Sequence, residues 1–203
     1  MKKPLIAVPI GDPAGIGPEI VLKALASEEV RQAADVLVVG DVRVVETAAA
    51  ITGVSLVITP VRSPEQGSYG EGRLVCLDVP TISPEDYAYG EVSGLCGRAA
   101  YAYIEKAAAL AMQGKVDAVA TTPINKQSLH AGGVPFIGHT EIFGALTGTD
   151  DPLTMFETNG LRVFFLTRHV PFAAVSGLVT RERIVDYGRR CLSVLDKIGR
   201  AHV

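Results

Sequence analysis

The chain has 203 residues, 48% hydrophobic and 20% charged, with 21 glycines, 12 prolines, no tryptophan and a formal net charge of −3. That composition excludes disorder, collagen and coiled coil. The charge is slightly acidic and evenly spread, so there is no basic face for a phosphodiester backbone and nucleic acid is not an expected partner.

A chain of this length buries roughly 70% of the surface it exposes when unfolded, enough for one large domain or one and part of a second. Residues 5–10 form a short apolar run ended by Gly11-Asp12-Pro13. Two lysines precede it, but Pro9, Asp12 and Pro13 interrupt it too early for a signal peptide, and it reads as a first strand. After Gly17, the side chains of Ile20, Val21, Ala24 and Leu25 share one helical face, giving strand, glycine-rich turn, helix. Residues 35–40 carry a second apolar run, Asp41 follows as a helix cap, and an alanine-rich helix runs to Thr52. Strands apolar on both faces, alternating with helices, indicate a mainly parallel sheet in α/β layers.

Residues 60–92 are rich in Pro, Gly, Ser, Glu and Tyr and read as a loop-rich connection, with 74–79 as its one strand. Ser93 then caps a long helix to about Gln113, whose apolar stripe is Ala99, Tyr103, Ala107, Leu110 and Ala111. The next buried strand, 116–122, runs into Thr121-Thr122-Pro123-Ile124-Asn125-Lys126, a polar loop where open α/β sheets place ligands. A short helix near 127–130 and another from about 141 to 146 follow. Residues 162–167 and 172–178 are expected as strands, with Arg168-His169 between them. The last helix starts at the Thr180 cap and carries Ile184, Gly188, Cys191, Leu195 and Ile198. The alternation predicts a strand next, so the sequence is expected to stop short of a complete sheet. No apolar run approaches the roughly 20 residues that span a bilayer. Cys76, Cys96 and Cys191 are odd in number and form no CxxC pair, which points to a reducing, cytoplasmic setting.

Four stretches carry candidate chemistry. GDPAGIGPE, residues 11–19, is either a rigid turn presenting backbone and Asp12 to a ligand or a tight turn with no ligand; it matches neither GxGxxG nor a Walker A loop. In residues 121–126, the hydroxyls, the amide and the Lys126 ammonium suit a phosphate or carboxylate; equally, Thr122 and Asn125 cap the next helix and Lys126 is solvated. Gly138-His139-Thr140-Glu141 opens a helix whose free N–H groups favour an anion, with His139 and Thr140 as donors; Thr140 as N-cap is the plainer reading, and both can hold. His169 is a lone histidine, ordinarily structural or at the surface, and with no HxxxH nearby it needs other ligands to hold a metal. His130 and His202 lack supporting context, Cys191 reads as core, and the absence of GxSxG gives no support to a hydrolase.

Together GDPAGIGPEI, TTPINK, GGVPFIGHTE and TRH, in this order, resemble the 4-hydroxythreonine-4-phosphate dehydrogenase family. The resemblance implies a three-layer α/β/α fold like that of isocitrate and isopropylmalate dehydrogenases. It also implies a homodimer with its active sites at the subunit interface, and oxidation of a phosphorylated hydroxy acid with NAD or NADP. In the parent activity, the 3-hydroxyl of 4-phosphooxy-L-threonine becomes a ketone and loss of CO2 gives 3-amino-2-oxopropyl phosphate. His139 and Thr140 match the family's substrate-binding pair, and His169 matches its first ligand to a divalent metal (zinc, magnesium or cobalt). Asp12 and Lys126 lie in matching motifs as candidates for catalytic polar contacts or proton transfer; no residue is assigned to the cofactor. The family's other metal histidines, in Asn-Pro-His and Tyr-His-Asp-Gln stretches, do not occur in this sequence. Two organisational readings follow: part of a longer chain, or a shortened protein unable to assemble the metal site. The expected domains are 1–120 and the beginning of a second at 121–203. Alternatives to the parent activity are dehydrogenation of 4-phospho-threonate or phospho-erythronate, of a dihydrodiol lacking phosphate, or binding of a phosphate ester without catalysis. An acyl-phosphate transferase is a weaker possibility by fold analogy.

Overall fold

A computed structural model describes residues 3–197, which fall into two compact units with the boundary between Asp150 and Asp151. The first unit is built on five parallel strands in the order β3-β4-β2-β1-β5. These are β1 (Leu5–Pro9), β2 (Asp35–Gly40), β3 (Val57–Val61), β4 (Arg73–Asp78) and β5 (Ala118–Val119). The helices are α1 (Gly17–Ala26), α2 (Glu28–Ala33), α3 (Val42–Thr52), α4 (Gly94–Met112), α5 (Lys126–Ala131) and α6 (His139–Thr147). In the middle of the sheet, β2 buries Leu37, Val38 and Val39 completely, as a strand covered on both faces must. The mainly parallel α/β architecture is the one expected from the sequence.

Several local expectations are corrected. The strand expected at 116–122 pairs only over Ala118–Val119 and is largely exposed, because β5 lies at the edge and has β1 as its single neighbour. Strand β3 is additional; Pro60 disguises it, yet proline is tolerated at the opposite edge where no second ladder needs its N–H. On α1 the buried face is Val21, Leu22 and Leu25, while Ile20 is 40% exposed and Ala24 is also exposed. Both instead line an apolar groove of about 260 Å³ with Ile6, Val8, Val36 and Ala120. Helix α6 starts two residues earlier than expected, at His139. Residues 121–147, expected in a second domain, belong to the first unit: Leu129 of α5 and Ile142 of α6 pack on Ile104 of α4 in a small separate core, with Tyr101 stacked on Phe136 at 5.9 Å.

The topology fixes where a ligand can sit. The β1→β2 and β2→β3 connections step one way across the sheet, whereas β4→β5 steps back past β2 and β1. Right-handed crossovers then put α1 and α3 on one face and α4 on the other. Since α5 packs on α4, the neighbouring strands β1 and β5 send their chains to opposite faces. Such a switch point opens a crevice at the carboxyl ends of its strands.

The second unit contains the antiparallel hairpin β6 (Met155–Thr158) and β7 (Leu161–Phe164), then α7 (Phe172–Leu178) and α8 (Arg181–Lys197). Asn159 and Gly160 turn the hairpin with φ of 47° and 79°, the left-handed pair that a two-residue turn requires. The strand expected at 172–178 is a helix: it follows Pro171, and the run Phe-Ala-Ala-Val is too short for its apolar character to separate strand from helix. The 162–167 strand shortens to end at Phe164. Thr180 accepts Arg183 N–H at 3.2 Å, so the last helix begins where its cap predicts. Cys191 is buried, as are Cys76 and Cys96, and all three are free thiols. Ile198 and His202 lie outside the described residues.

Candidate functional site

Two of the motifs meet at the switch point. Gly11 has φ of +73°, and a Cβ there would collide with the Pro123 carbonyl and stand 2.6 Å from Thr122 Oγ1. Asp12 N–H donates to Pro123 O at 3.2 Å, and the Thr122 hydroxyl donates to Pro9 O at 2.9 Å. The turns after β1 and β5 are therefore in backbone contact, which only glycine at position 11 permits. Thr122 is spent on this contact and does not cap α5; Asn125 does, accepting Gln127 and Ser128 N–H at 2.9 and 3.1 Å. Lys126 is exposed at the start of that helix.

Asp12 is turned inward, only 3% exposed, with its carboxylate on Ala14 N–H at 2.8 Å. Burial pushes its pKa up; the Ala14 amide and the Ser128 hydroxyl pull against that rise. Ser128 is fully buried and also accepts Ser93 N–H at 3.2 Å. No local motif marks Ser128, although a signal exists in Gly94 and Gly97, one turn apart at the start of α4. A Cβ on Gly97 would strike the Ser128 carbonyl, and one on Gly94 would meet Ala131 O at 2.6 Å, so these glycines let α5 lie directly on α4.

Gly138 is the N-cap of α6 and no side chain caps the helix, so Thr140 sits within the first turn and is not the cap. Lys126 Cε and Glu141 Oε2 both flank Gly138, 4.0 and 3.7 Å from the position a Cβ would take. His139 stacks on Phe143 with ring centroids 6.5 Å apart, and its Nε2 is buried without a hydrogen-bond partner. Burial lowers its pKa, opposed by the Thr122 backbone. A buried ring nitrogen without a partner costs free energy unless something else supplies one. The amides of the α6 amino terminus, the Lys126 ammonium and the Glu141 carboxylate lie nearby, and with the Thr122 backbone on its other nitrogen the ring can offer Nε2 to an anion as the imidazolium.

The carboxyl ends of the strands hold a second polar cluster, around Asp41, whose local sequence signal is only that of a helix cap. Asp41, 1% exposed, accepts from Arg43 N–H at 3.1 Å, from Arg43 Nε and Nη2 at 2.9 and 2.7 Å, and from Thr81 N–H at 2.9 Å. Burial would raise its pKa, but these hydrogen bonds outweigh it and hold the carboxyl below the usual range. Thr81 in turn donates to the phenol of buried Tyr103 at 2.7 Å. Tyr103→Phe is expected to cost about 1 kcal/mol, the net worth of one such bond. In thermal unfolding that corresponds to a drop of about 2–4 °C.

His169 belongs to the second unit. It is exposed and held at φ of +51° just after Arg168, which donates to Thr154 Oγ1 at 2.8 Å and Pro152 O at 2.7 Å and pairs with Asp151. Among the described residues, no three His, Cys, Asp or Glu side chains gather as metal ligands. One imidazole is not a metal centre, so the described residues fit an anion site and do not by themselves fit a divalent metal.

The fold is an open parallel α/β unit whose polar loops meet at the switch point, with His139 Nε2 left without a partner at the amino terminus of α6. Residues 32–202 match the family described as pyridoxal phosphate biosynthetic protein PdxA, and the chain belongs to that family. A protein of Symbiobacterium thermophilum provisionally named D-threonate 4-phosphate dehydrogenase is 50% identical over 197 residues, covering 97% of this chain and 59% of that protein. A Fusobacterium nucleatum protein of the same provisional name is 48% identical, covering 96% and 58%. The crystal structure of a 4-hydroxythreonine-4-phosphate dehydrogenase from Burkholderia phymatum superposes with a TM-score of 0.90 at 36% identity, over 98% of this chain and 60% of that one. The chain thus spans about three fifths of the length of these relatives. The family resemblance and the α/β fold expected from the sequence both stand. No helix among the described residues is long and apolar enough to cross a membrane.

Proposed function

We propose that the whole protein is an NAD- or NADP-linked dehydrogenase of a small phosphorylated hydroxy acid, and that this chain supplies its phosphate-ester site. The observation that carries the reading is His139: a buried, unpaired Nε2 at the uncapped amino terminus of α6, beside Lys126. His139 and Thr140 receive the phosphate, with the α6 amides behind them and the Lys126 ammonium at the rim. Asp12 acts through the turn, keeping residues 11–15 in shape by holding Ala14 N–H; Lys126, exposed beside Gly138, is the better placed of the two for substrate contact or proton transfer. A bound nicotinamide would supply the hydride acceptor for oxidation of the substrate carbinol. His169 would supply one ligand to a divalent cation, which needs further ligands that the described residues do not gather. The reading includes a cytoplasmic homodimer with the site at the subunit interface.

D-threonate 4-phosphate is favoured as substrate over 4-phosphooxy-L-threonine, since the relatives bearing that name are 50% and 48% identical against 36% for the 4-hydroxythreonine-4-phosphate dehydrogenase. The test is nicotinamide reduction by the whole protein, supplied with a divalent cation and either cofactor. Reduction with D-threonate 4-phosphate and none with unphosphorylated D-threonate is expected; equal rates with both, or no reduction with either phosphorylated acid, would overturn the assignment.

A further inference from the structure

The 79–93 connection between β4 and α4 makes hydrogen bonds to the end of β2, to the turn after β1 and to helix α5. At its start, Val79 N–H donates to Gly40 O at 2.9 Å, and Thr81 and Ile82 N–H donate to Asp41 Oδ2 at 2.9 and 3.3 Å. Further on, Gly90 N–H donates to Ala14 O at 2.8 Å, in the turn after β1, and Ser93 N–H donates to Ser128 in α5. One segment therefore joins the end of β2, the turn that carries Asp12, and the helix that begins with Lys126.

Arg43 grips the base of this segment. Its Nε and Nη2 bind the two oxygens of Asp41, Nη1 donates to Ser83 Oγ at 2.7 Å, and Nη2 also donates to Ile82 O at 3.1 Å. The guanidinium is committed on every nitrogen to groups of the protein, so although half-exposed at 49% it is built to hold the chain and not to receive an anion. A bidentate fork fixes direction as well as distance, which a single ammonium cannot do.

We propose that Arg43, through Asp41, is a positioning residue of the phosphate-ester site: it fixes the 79–93 connection, which sets the turn after β1 and helix α5 in register with each other. The inference rests on the reading of the site given above. Three substitutions in the whole protein separate the two: Arg43→Ala, Arg43→Lys and, for the site itself, His139→Ala. Each is titrated calorimetrically with D-threonate 4-phosphate, and hydrogen exchange is followed at the amides of Gly90, Ser93 and the β2 strand.

Arg43→Ala is expected to bind about tenfold more weakly, the scale of one lost hydrogen bond to a charged group. Gly90 and Ser93 lose protection while Leu37, Val38 and Val39 in β2 keep theirs. Arg43→Lys, which keeps the charge but not the fork, is expected to resemble Arg43→Ala. The proposal is overturned, with the site intact, if His139→Ala abolishes binding while Arg43→Ala binds like the parent, or if Arg43→Lys retains full affinity. Failure of the parent protein to bind the ester at all would overturn the site, and the positioning role with it.

Discussion

Replacing Gly11 with alanine is expected to destabilise the first unit by about 2–5 kcal/mol, because two penalties coincide there. The residue holds φ of +73°, where an L side chain is strained by roughly 1–2 kcal/mol. The new methyl also drives into the Pro123 carbonyl and Thr122 Oγ1, and backbone cannot move aside as a flexible side chain can; overpacking of this kind costs typically 1–3 kcal/mol. In thermal unfolding of a unit this size the sum appears as a fall of about 5–15 °C. Gly53 isolates the first penalty, since it shares the conformation at φ of +68° with nothing within 4 Å of its would-be Cβ. Gly53→Ala should therefore cost only the strain. Equal losses at the two positions would show that the close approach of the β1 and β5 turns contributes nothing.

The second large effect is on binding. His139→Ala removes the imidazole whose Nε2 lacks a protein partner, and affinity for a phosphate ester is expected to fall by about 10–100-fold, corresponding to 1.5–3 kcal/mol for a hydrogen bond to a charged group. A proton accompanies the event. Burial lowers the pKa of His139 in the free protein, so at pH 7.5 the ring is neutral. A dianionic phosphate against Nε2 favours the imidazolium, so binding takes up protons, and affinity rises as pH falls from 7.5 toward the ordinary histidine value near 6.5. Calorimetry in buffers of different ionisation enthalpy measures that uptake directly. Its persistence in His139→Ala would assign the proton to another group. The same shift has a stability consequence: a group with a depressed pKa binds more protons unfolded than folded, so His139 weakens the fold as pH drops below about 6.5.

The sequence speaks clearly where one residue type leaves one physical option. The run Val36 to Val39 is apolar at every position and rich in β-branched valine, which favours a buried strand, and β2 is that strand, with Leu37, Val38 and Val39 fully buried. Glycine between β1 and α1 marks a backbone approach that is realised at Gly11. Edges are harder to read. Pro60 disguises β3, and the apolar residues after Lys115 suggest a longer, more buried β5 than its single neighbour supports. Residues 172–178 fail for a different reason: seven largely apolar residues fit either period, and proline before them decides for helix. Around the candidate site, motif reading picks out His139, Thr140 and Lys126 because their residue types are distinctive. It passes over Ser128 and sees in Asp41 only a cap, since their decisive bonds run to Ser93, Thr81 and Ile82, 35 to 41 residues away. Such pairings are set by the order of strands in the sheet, which no local pattern records.

The proposed role of the β5 turn and the amino terminus of α6 is recognition of a phosphate group. It is tested most directly by calorimetric titration of the whole protein with D-threonate 4-phosphate and, separately, with D-threonate. Binding of the ester is expected, with affinity for the unphosphorylated acid lower by about 100-fold, the combined worth of an imidazole, an ammonium and helix amides on one dianion. Equal affinity for the two acids would contradict it.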